Sequence, residues 1–319
     1  MAQADNREDL LTRVASLYYE YDYSQEEIAR KVKTSRSNVS RLLKEAKQKG
    51  LVEIRIHRRI PTAPEMEQEF KRRFGLDQAM IVDDRESDYT ERLAAVGQLA
   101  AWYLEEILRK DTLLAISWGT GVASAVNAMS HKPELHIDVV QMIGSFGTVV
   151  SEIDGPELAR RLADKLGGGY YYLHAPLFVD SSTTRDALLD QPTIADVLDR
   201  ARTAQVALVG IGTTEPEASS FLRSGHLTRE QLDNLREQGA IGETSGKHFA
   251  IDGSFDFDIN NRVIAMDMED LKRIPHVVAV ACGLPKRLSI LGVLRGGYVN
   301  ALATDSITAA AILEEASKT

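Results

Sequence analysis

Residues 24–50 read SQEEIARKVKTSRSNVSRLLKEAKQKG. Between Arg30 and Lys49 this stretch holds eight Lys and Arg against one Glu, in a chain whose net charge is -9. Ser24 followed by Glu27 has the spacing of a capping box, in which the hydroxyl accepts from a free helix N–H and the carboxylate reaches back to the cap. A helix therefore starts at Ser24, with Ile28 and Val32 as its inward positions and Ala29 small enough for a close crossing. Lys33 and Thr34 form a short turn, and Ser35 is a second N-cap. Gly50 stands where a helix ends in the left-handed conformation. On the helix expected over about 36–49, Val39, Leu42, Leu43 and Ala46 share one face. Ser37, Arg41, Lys44 and Gln48 lie opposite, Asn38 and Ser40 flank them, and Arg36 sits near the start.

Upstream, Leu10, Val14, Leu17, Tyr18 and Tyr21 repeat with helical spacing, which predicts a preceding helix. Three short helices, the last one basic and polar on its outward face, form a helix-turn-helix whose last helix suits the DNA major groove. Arg36, Ser37, Asn38, Ser40, Arg41 and Lys44 are the candidate DNA-contacting residues. An Arg matches the guanine edge, an Asn the adenine edge, and a Lys the phosphates. After Gly50, LVEIRIH alternates as a strand does, which predicts a wing, with Arg55, His57, Arg58 and Arg59 near the backbone of the duplex. Charge supports the division: residues 1–60 carry a net +4 and residues 61–319 a net -13. Such asymmetry points to one segment that meets a polyanion and another that does not.

Pro61 and Pro64 mark a boundary, giving a DNA-binding domain over 1–60 and an effector domain over 61–319. In the second domain, apolar runs at 79–82, 113–118, 137–144, 206–212, 276–283 and 298–304 alternate with amphipathic segments near 91–109, 154–166, 192–203, 228–238 and 305–316. Strands apolar on both faces and separated by helices predict an α/β fold, doubly wound around a mainly parallel sheet. Gly-bearing segments follow several runs: SWGTG (117–121), IGSFG (143–147) and GIGTT (210–214). At the carboxyl ends of such strands, loops and helix N-termini offer N–H groups to anions. Gly119, Thr120 and Gly121 are the strongest candidates, with Lys286 to neutralise a phosphate and Glu243 to accept from sugar hydroxyls. No dinucleotide or Walker fingerprint is present.

Seven scattered histidines and one cysteine, Cys282 in the run HVVAVACG, give no metal-ligand spacing, so no metal or catalytic cofactor is expected. Neither a spanning apolar stretch nor a signal-like N-terminus is evident, and a cytoplasmic location is expected.

The segment LYYEYDYSQEEIARKVKTSRSNVSRLLKEAKQKGLVEIRI, together with AISWGTG, HAPLFVDS, VALVGIGT, GAIGE and LRGGYVNALATD, resembles the SorC family of bacterial sugar-responsive transcription regulators. The resemblance covers nearly the whole chain. It implies a winged helix-turn-helix joined to a domain like sugar-phosphate isomerases and glucosamine-phosphate deaminases that acts as a sensor. It also implies a phosphorylated sugar or polyol as effector, operator DNA as partner, and assembly as a homodimer or homotetramer without a membrane. By motif position, Gly119, Thr120 and Gly121 correspond to the family's phosphate-facing loop, Glu243 to its acidic hydroxyl-binding position and Lys286 to its late basic residue. The alternatives are an isomerase or deaminase with Glu243 or Asp252 as general base, and an adaptor whose helix-turn-helix meets protein.

Overall fold

A computed structural model describes residues 2–49, 51–52, 60–147 and 153–318. The chain divides into two compact units, Met1–Arg59 and Ile60–Thr319.

In the first unit, α1 (Ala2–Tyr19), α2 (Gln25–Lys31) and α3 (Arg36–Gln48) enclose a small core. Leu11, Val14, Ile28, Val39, Leu42 and Ala46 are wholly buried there. Ser24 caps α2 through the full capping box with Glu27, and Ser35 caps α3 by accepting from the Asn38 N–H. Lys33 takes the left-handed conformation (φ 52°) that turns α2 into α3. The inward face of α1 is centred on Leu11 and Val14. Tyr21 falls beyond the helix, next to Asp22 at φ 54°, and is 66% exposed, so it does not belong to the apolar stripe. Gly50 and residues 53–59, which hold most of the expected wing and Arg55, His57, Arg58 and Arg59, lie outside the described residues.

The second unit runs α4 (Pro64–Phe74), β1 (Gln78–Val82), α5 (Tyr89–Ile107), β2 (Leu113–Ile116), α6 (Thr120–Ala128), β3 (Ile137–Gln141), α7 (Gly155–Leu166) and β4 (Gly167–Tyr171). It continues through α8 (Ser182–Leu189), α9 (Pro192–Arg202), β5 (Val206–Thr213), α10 (Ser220–Arg223), α11 (Arg229–Glu237), β6 (Gly242–Thr244) and β7 (Lys247–Phe249). The last elements are α12 (Met268–Leu271), β8 (His276–Val280), α13 (Arg287–Gly296), β9 (Ala301–Asp305) and α14 (Ser306–Ala316). The main sheet has the order β1-β9-β8-β5-β2-β3-β4, and every neighbouring pair is parallel. An antiparallel hairpin, β6–β7, hangs from the extended end of β5.

The central strands are apolar throughout because both of their faces are covered. Val278 and Val280 enter one core with helices α5, α6 and α7, while Val277 and Ala279 enter the other with α9, α11, α13 and α14. The Pro61–Pro64 segment is docked on the sheet edge. The Ala63 N–H donates to the Ile81 carbonyl and Thr62 bridges Val82, while Pro64 occupies the first turn of α4, where its missing N–H is no loss.

Several elements leave weak sequence signals, β4 and α13 among them. β4 reads GGGYY, a poor strand sequence by propensity. Its glycines serve close approach: a Cβ on Gly168 would lie 2.0 Å from the Ile137 carbonyl oxygen. α13 is masked by an almost continuous apolar run with glycines at 292 and 296, six of its residues, Ser289 to Leu294, being buried on several faces.

Candidate functional site

β2, β3 and β4 step away from the centre of the sheet in one direction, and β5, β8 and β9 in the other. The reversal falls between β2 and β5, so a crevice opens beyond their carboxyl ends, the place where such sheets hold ligands. A cavity of about 570 Å³ lies there. Gly119, Thr120, Gly121, Glu243 and Lys286 all line it, although they are spread over three separate stretches of chain.

Gly119 is the N-cap of α6 and holds φ 111°, a conformation that side chains disfavour. It turns the chain so that the first N–H groups of α6 face the cavity, where the positive end of the helix favours an anion. Gly121 has a different reason: a Cβ there would come 2.1 Å from the Val280 carbonyl oxygen, so this glycine lets α6 pack on β8. Thr120 and Tyr89 both line this part of the cavity. GIGT proves to be strand β5 itself, with Gly210, Ile211 and Gly212 forming part of the cavity wall. IGSFG does not line it; Gly144 is a packing glycine whose Cβ would lie 2.4 Å from the Pro176 carbonyl oxygen.

Glu243 sits on β6, buried, with its carboxylate accepting from the Gly246 N–H at 3.2 Å. Burial pushes its pKa up to about 7, against the opposing pull of the Gly246 N–H, the Lys286 ammonium and the Ser220 hydroxyl. Space for the carboxylate exists because residue 212 is glycine: a Cβ would meet Glu243 Oε1 at 2.1 Å. The hairpin is held by Asn260, which donates to the His248 carbonyl and accepts from the His248 N–H, both at 2.7 Å. Lys286 is half-buried in the 3-10 turn Leu284–Lys286, and desolvation lowers its pKa, with Cys282 and Glu243 opposing.

Asp305 anchors that turn. Its carboxylate accepts from the Thr308 N–H (2.9 Å), the Thr308 hydroxyl (2.6 Å) and the Gly283 N–H (2.9 Å). Asp305→Ala therefore removes the cap of α14 and one of the two acceptors of the Gly283 N–H, the Thr308 hydroxyl at 2.8 Å being the other, and an expected loss of about 1–3 kcal/mol in urea unfolding follows. Asp305→Asn, which keeps an acceptor, should lose less; equal losses would show that the tether is not what matters.

Several cavity residues leave no readable signal in the sequence: Arg223 and Ser220 from α10, Ser245 at the hairpin tip, and Tyr89 at the start of α5. Ser117, by contrast, belongs to the SWGTG motif already singled out. Cys282 also lines the cavity, 1% exposed, its thiol pushed up to about 12 by burial, which makes it a poor nucleophile. Asp252 is not among the lining residues; it accepts from the Ser254 N–H in a surface turn, so it cannot serve as a base there. Lys286, Arg223, the α6 N-terminus and several hydroxyls together suit an anionic, hydroxyl-bearing small molecule.

In the helical unit, Arg36, Ser37, Ser40, Arg41 and Lys44 are exposed along α3 and Asn38 is half-buried. Among the described residues Arg36 makes a long contact with Glu26 (4.0 Å), with both side chains largely exposed. Glu45, the acidic residue of α3, is paired with Arg7 of α1 at 2.6 Å, which offsets its charge. No helix among the described residues is long and apolar enough to cross a membrane.

The family model described as "Putative sugar-binding domain" matches residues 58–314. The chain is 30% identical over 311 residues to the transcriptional regulator LsrR of Escherichia coli O139:H28, covering 96% of this chain and 95% of the relative. It is 29% identical over 310 residues to the deoxyribonucleoside regulator of Bacillus subtilis, covering 97% and 98%. Among solved structures, the full-length sorbitol operon regulator SorC from Klebsiella pneumoniae superposes with a TM-score of 0.75 at 27% identity, covering 96% of this chain and 98% of that one. A capped, basic helix-turn-helix, a sheet reversing at a lined cavity, and likeness to named regulators along almost the entire length agree: this chain belongs to the SorC family of transcriptional regulators.

Proposed function

We propose that the chain binds operator DNA through α3 and that a phosphorylated sugar or polyol, seated in the cavity between β2 and β5, sets its DNA affinity. The observation that carries this reading is the meeting of the α6 N-terminus, Lys286 and Glu243 around one cavity. The phosphate sits at Gly119–Gly121 with Lys286 as counter-charge, and Glu243 faces the hydroxyls. The protein acts in the cytoplasm as a homodimer or homotetramer, because paired recognition helices must meet half-sites about 34 Å apart or a multiple of that spacing. Ligand binding alters that spacing; a coupling of about 1–3 kcal/mol changes occupancy roughly 5- to 150-fold.

A thermal-shift panel of phosphorylated sugars and polyols tests the cavity. A true effector at 100 times its Kd should stabilise the protein by about 2.7 kcal/mol, and Lys286→Ala should abolish the response. Linkage tests the coupling: operator DNA must change effector affinity by the same factor as the effector changes operator affinity. Equal effector affinities with and without operator would sink the regulatory reading.

The second reading is an enzyme, favoured by one observation: an enclosed carboxyl with a pKa of about 7 is well matched to proton transfer. Turnover of pentose or hexosamine phosphates by the purified protein would decide for it. The regulator reading is preferred because the relatives are named as regulators and α3 keeps its cationic face outward.

A further inference from the structure

Three side chains on the outward side of the helix-turn-helix form a short chain of hydrogen bonds. Asn38 Nδ2 donates to Thr34 Oγ1 at 2.7 Å, and Asn38 Oδ1 accepts from Arg41 Nη2 at 2.8 Å. A guanidinium can only donate, so the oxygen of the amide must face Arg41 and its nitrogen Thr34. Reading an adenine takes both amide atoms at once, one for N6 and one for N7. In Asn38 each atom already spends one of its two bonding positions within the protein, which fixes the plane and direction of the amide toward Arg41 and Thr34.

Arg41 is in the opposite situation. It is exposed and commits one of its five N–H groups to Asn38, leaving enough for the O6 and N7 of a guanine. Its other natural partner on the helix, Glu45 one turn on, is held by Arg7 through two hydrogen bonds of 3.3 and 2.6 Å. That arrangement leaves Arg41 to Asn38. The Thr34 contact fixes the amide, the amide fixes the guanidinium, and less side-chain freedom remains to be lost on binding.

Resting on the operator-binding reading above, we propose that Asn38 is a positioning residue that aims Arg41 at a guanine and does not itself read a base. The test is selection from a pool of random duplex DNA by the full-length chain and three variants. The wild type should enrich a motif with a specified guanine, and Arg41→Ala should lower the preference at that position about tenfold or more. Asn38→Ala should weaken the preference at the same position and leave the others unchanged. Asn38→Asp keeps an acceptor for Arg41 but has no donor for adenine N7, so it should retain the guanine even where overall affinity falls. If Asn38→Ala spares the guanine and relaxes an adenine instead, or if Asp and Ala relax the guanine equally, the positioning role is wrong. If the wild type enriches no sequence, the operator-binding reading itself fails.

Discussion

Glu243→Gln is expected to make the protein more stable at pH 8 by about 1–3 kcal/mol, to leave it unchanged near pH 4.5, and to weaken the proposed ligand. The carboxyl of Glu243 is displaced from an ordinary value of 4.5 to about 7 by burial. Between those two values the unfolded chain releases its proton while the folded one keeps it. Stability attributable to this group is therefore greatest below pH 4.5 and falls as pH rises to about 7, by about 3 kcal/mol in all. Above that point the burial cost of the charge is fully present. Glutamine carries no such cost, while its oxygen can still accept from Gly246. His248 works in the opposite sense, since burial lowers its pKa to about 4 and its contribution is lost as pH falls below 6.5. The difference between variant and wild type cancels that term, so urea unfolding of both at pH 5 and pH 8 isolates Glu243. A difference that does not vary with pH would refute the buried-carboxyl account. A site more stable without its functional group would fit one that holds a charge for a ligand to satisfy.

Leu42→Ala should unfold the helical unit while sparing the other. Leu42 is 0% exposed and meets Leu11, Val14, Ile28 and Val39 in a core with few other members. Truncating a buried leucine costs about 2–5 kcal/mol. Units of this size bury proportionally little surface and have only about 0.05–0.15 kcal/mol per residue to lose, so the change removes most of that stability. Calorimetry should show the helical unit melting at much lower temperature or not at all. The transition of Ile60–Thr319 and its stabilisation by the proposed effector should persist. Binding to every duplex should fail, whereas Arg41→Ala removes affinity without loss of fold. One transition, shifted as a whole, would mean that the two units fold as one.

The helix-turn-helix was legible almost residue by residue because its determinants are local. The Ser24–Glu27 cap, the Ser35 cap and the inward stripe on α3 all act over three or four residues. The parallel sheet was legible as well, since strands covered on both faces must be apolar throughout. Where it failed, the cause was remote: β4 is a strand because glycine lets it approach β3, and Tyr21 is exposed because α1 ends first.

The sequence by itself determined the helix-turn-helix, the apolar strands of the parallel sheet and the helices between most of them, where the cations lie and which residue types were candidates for a site; β4, the β6–β7 hairpin and α13 it did not. Only the tertiary structure decided that Gly119–Gly121, Glu243 and Lys286 share one cavity, that Arg223 and Ser220 join them, and that Glu243 titrates near neutrality. Helix caps and periodic stripes are satisfied within a turn or two of chain. Convergence and burial instead depend on where the sheet reverses direction and on what packs over each side chain, and neither is set by neighbours in sequence.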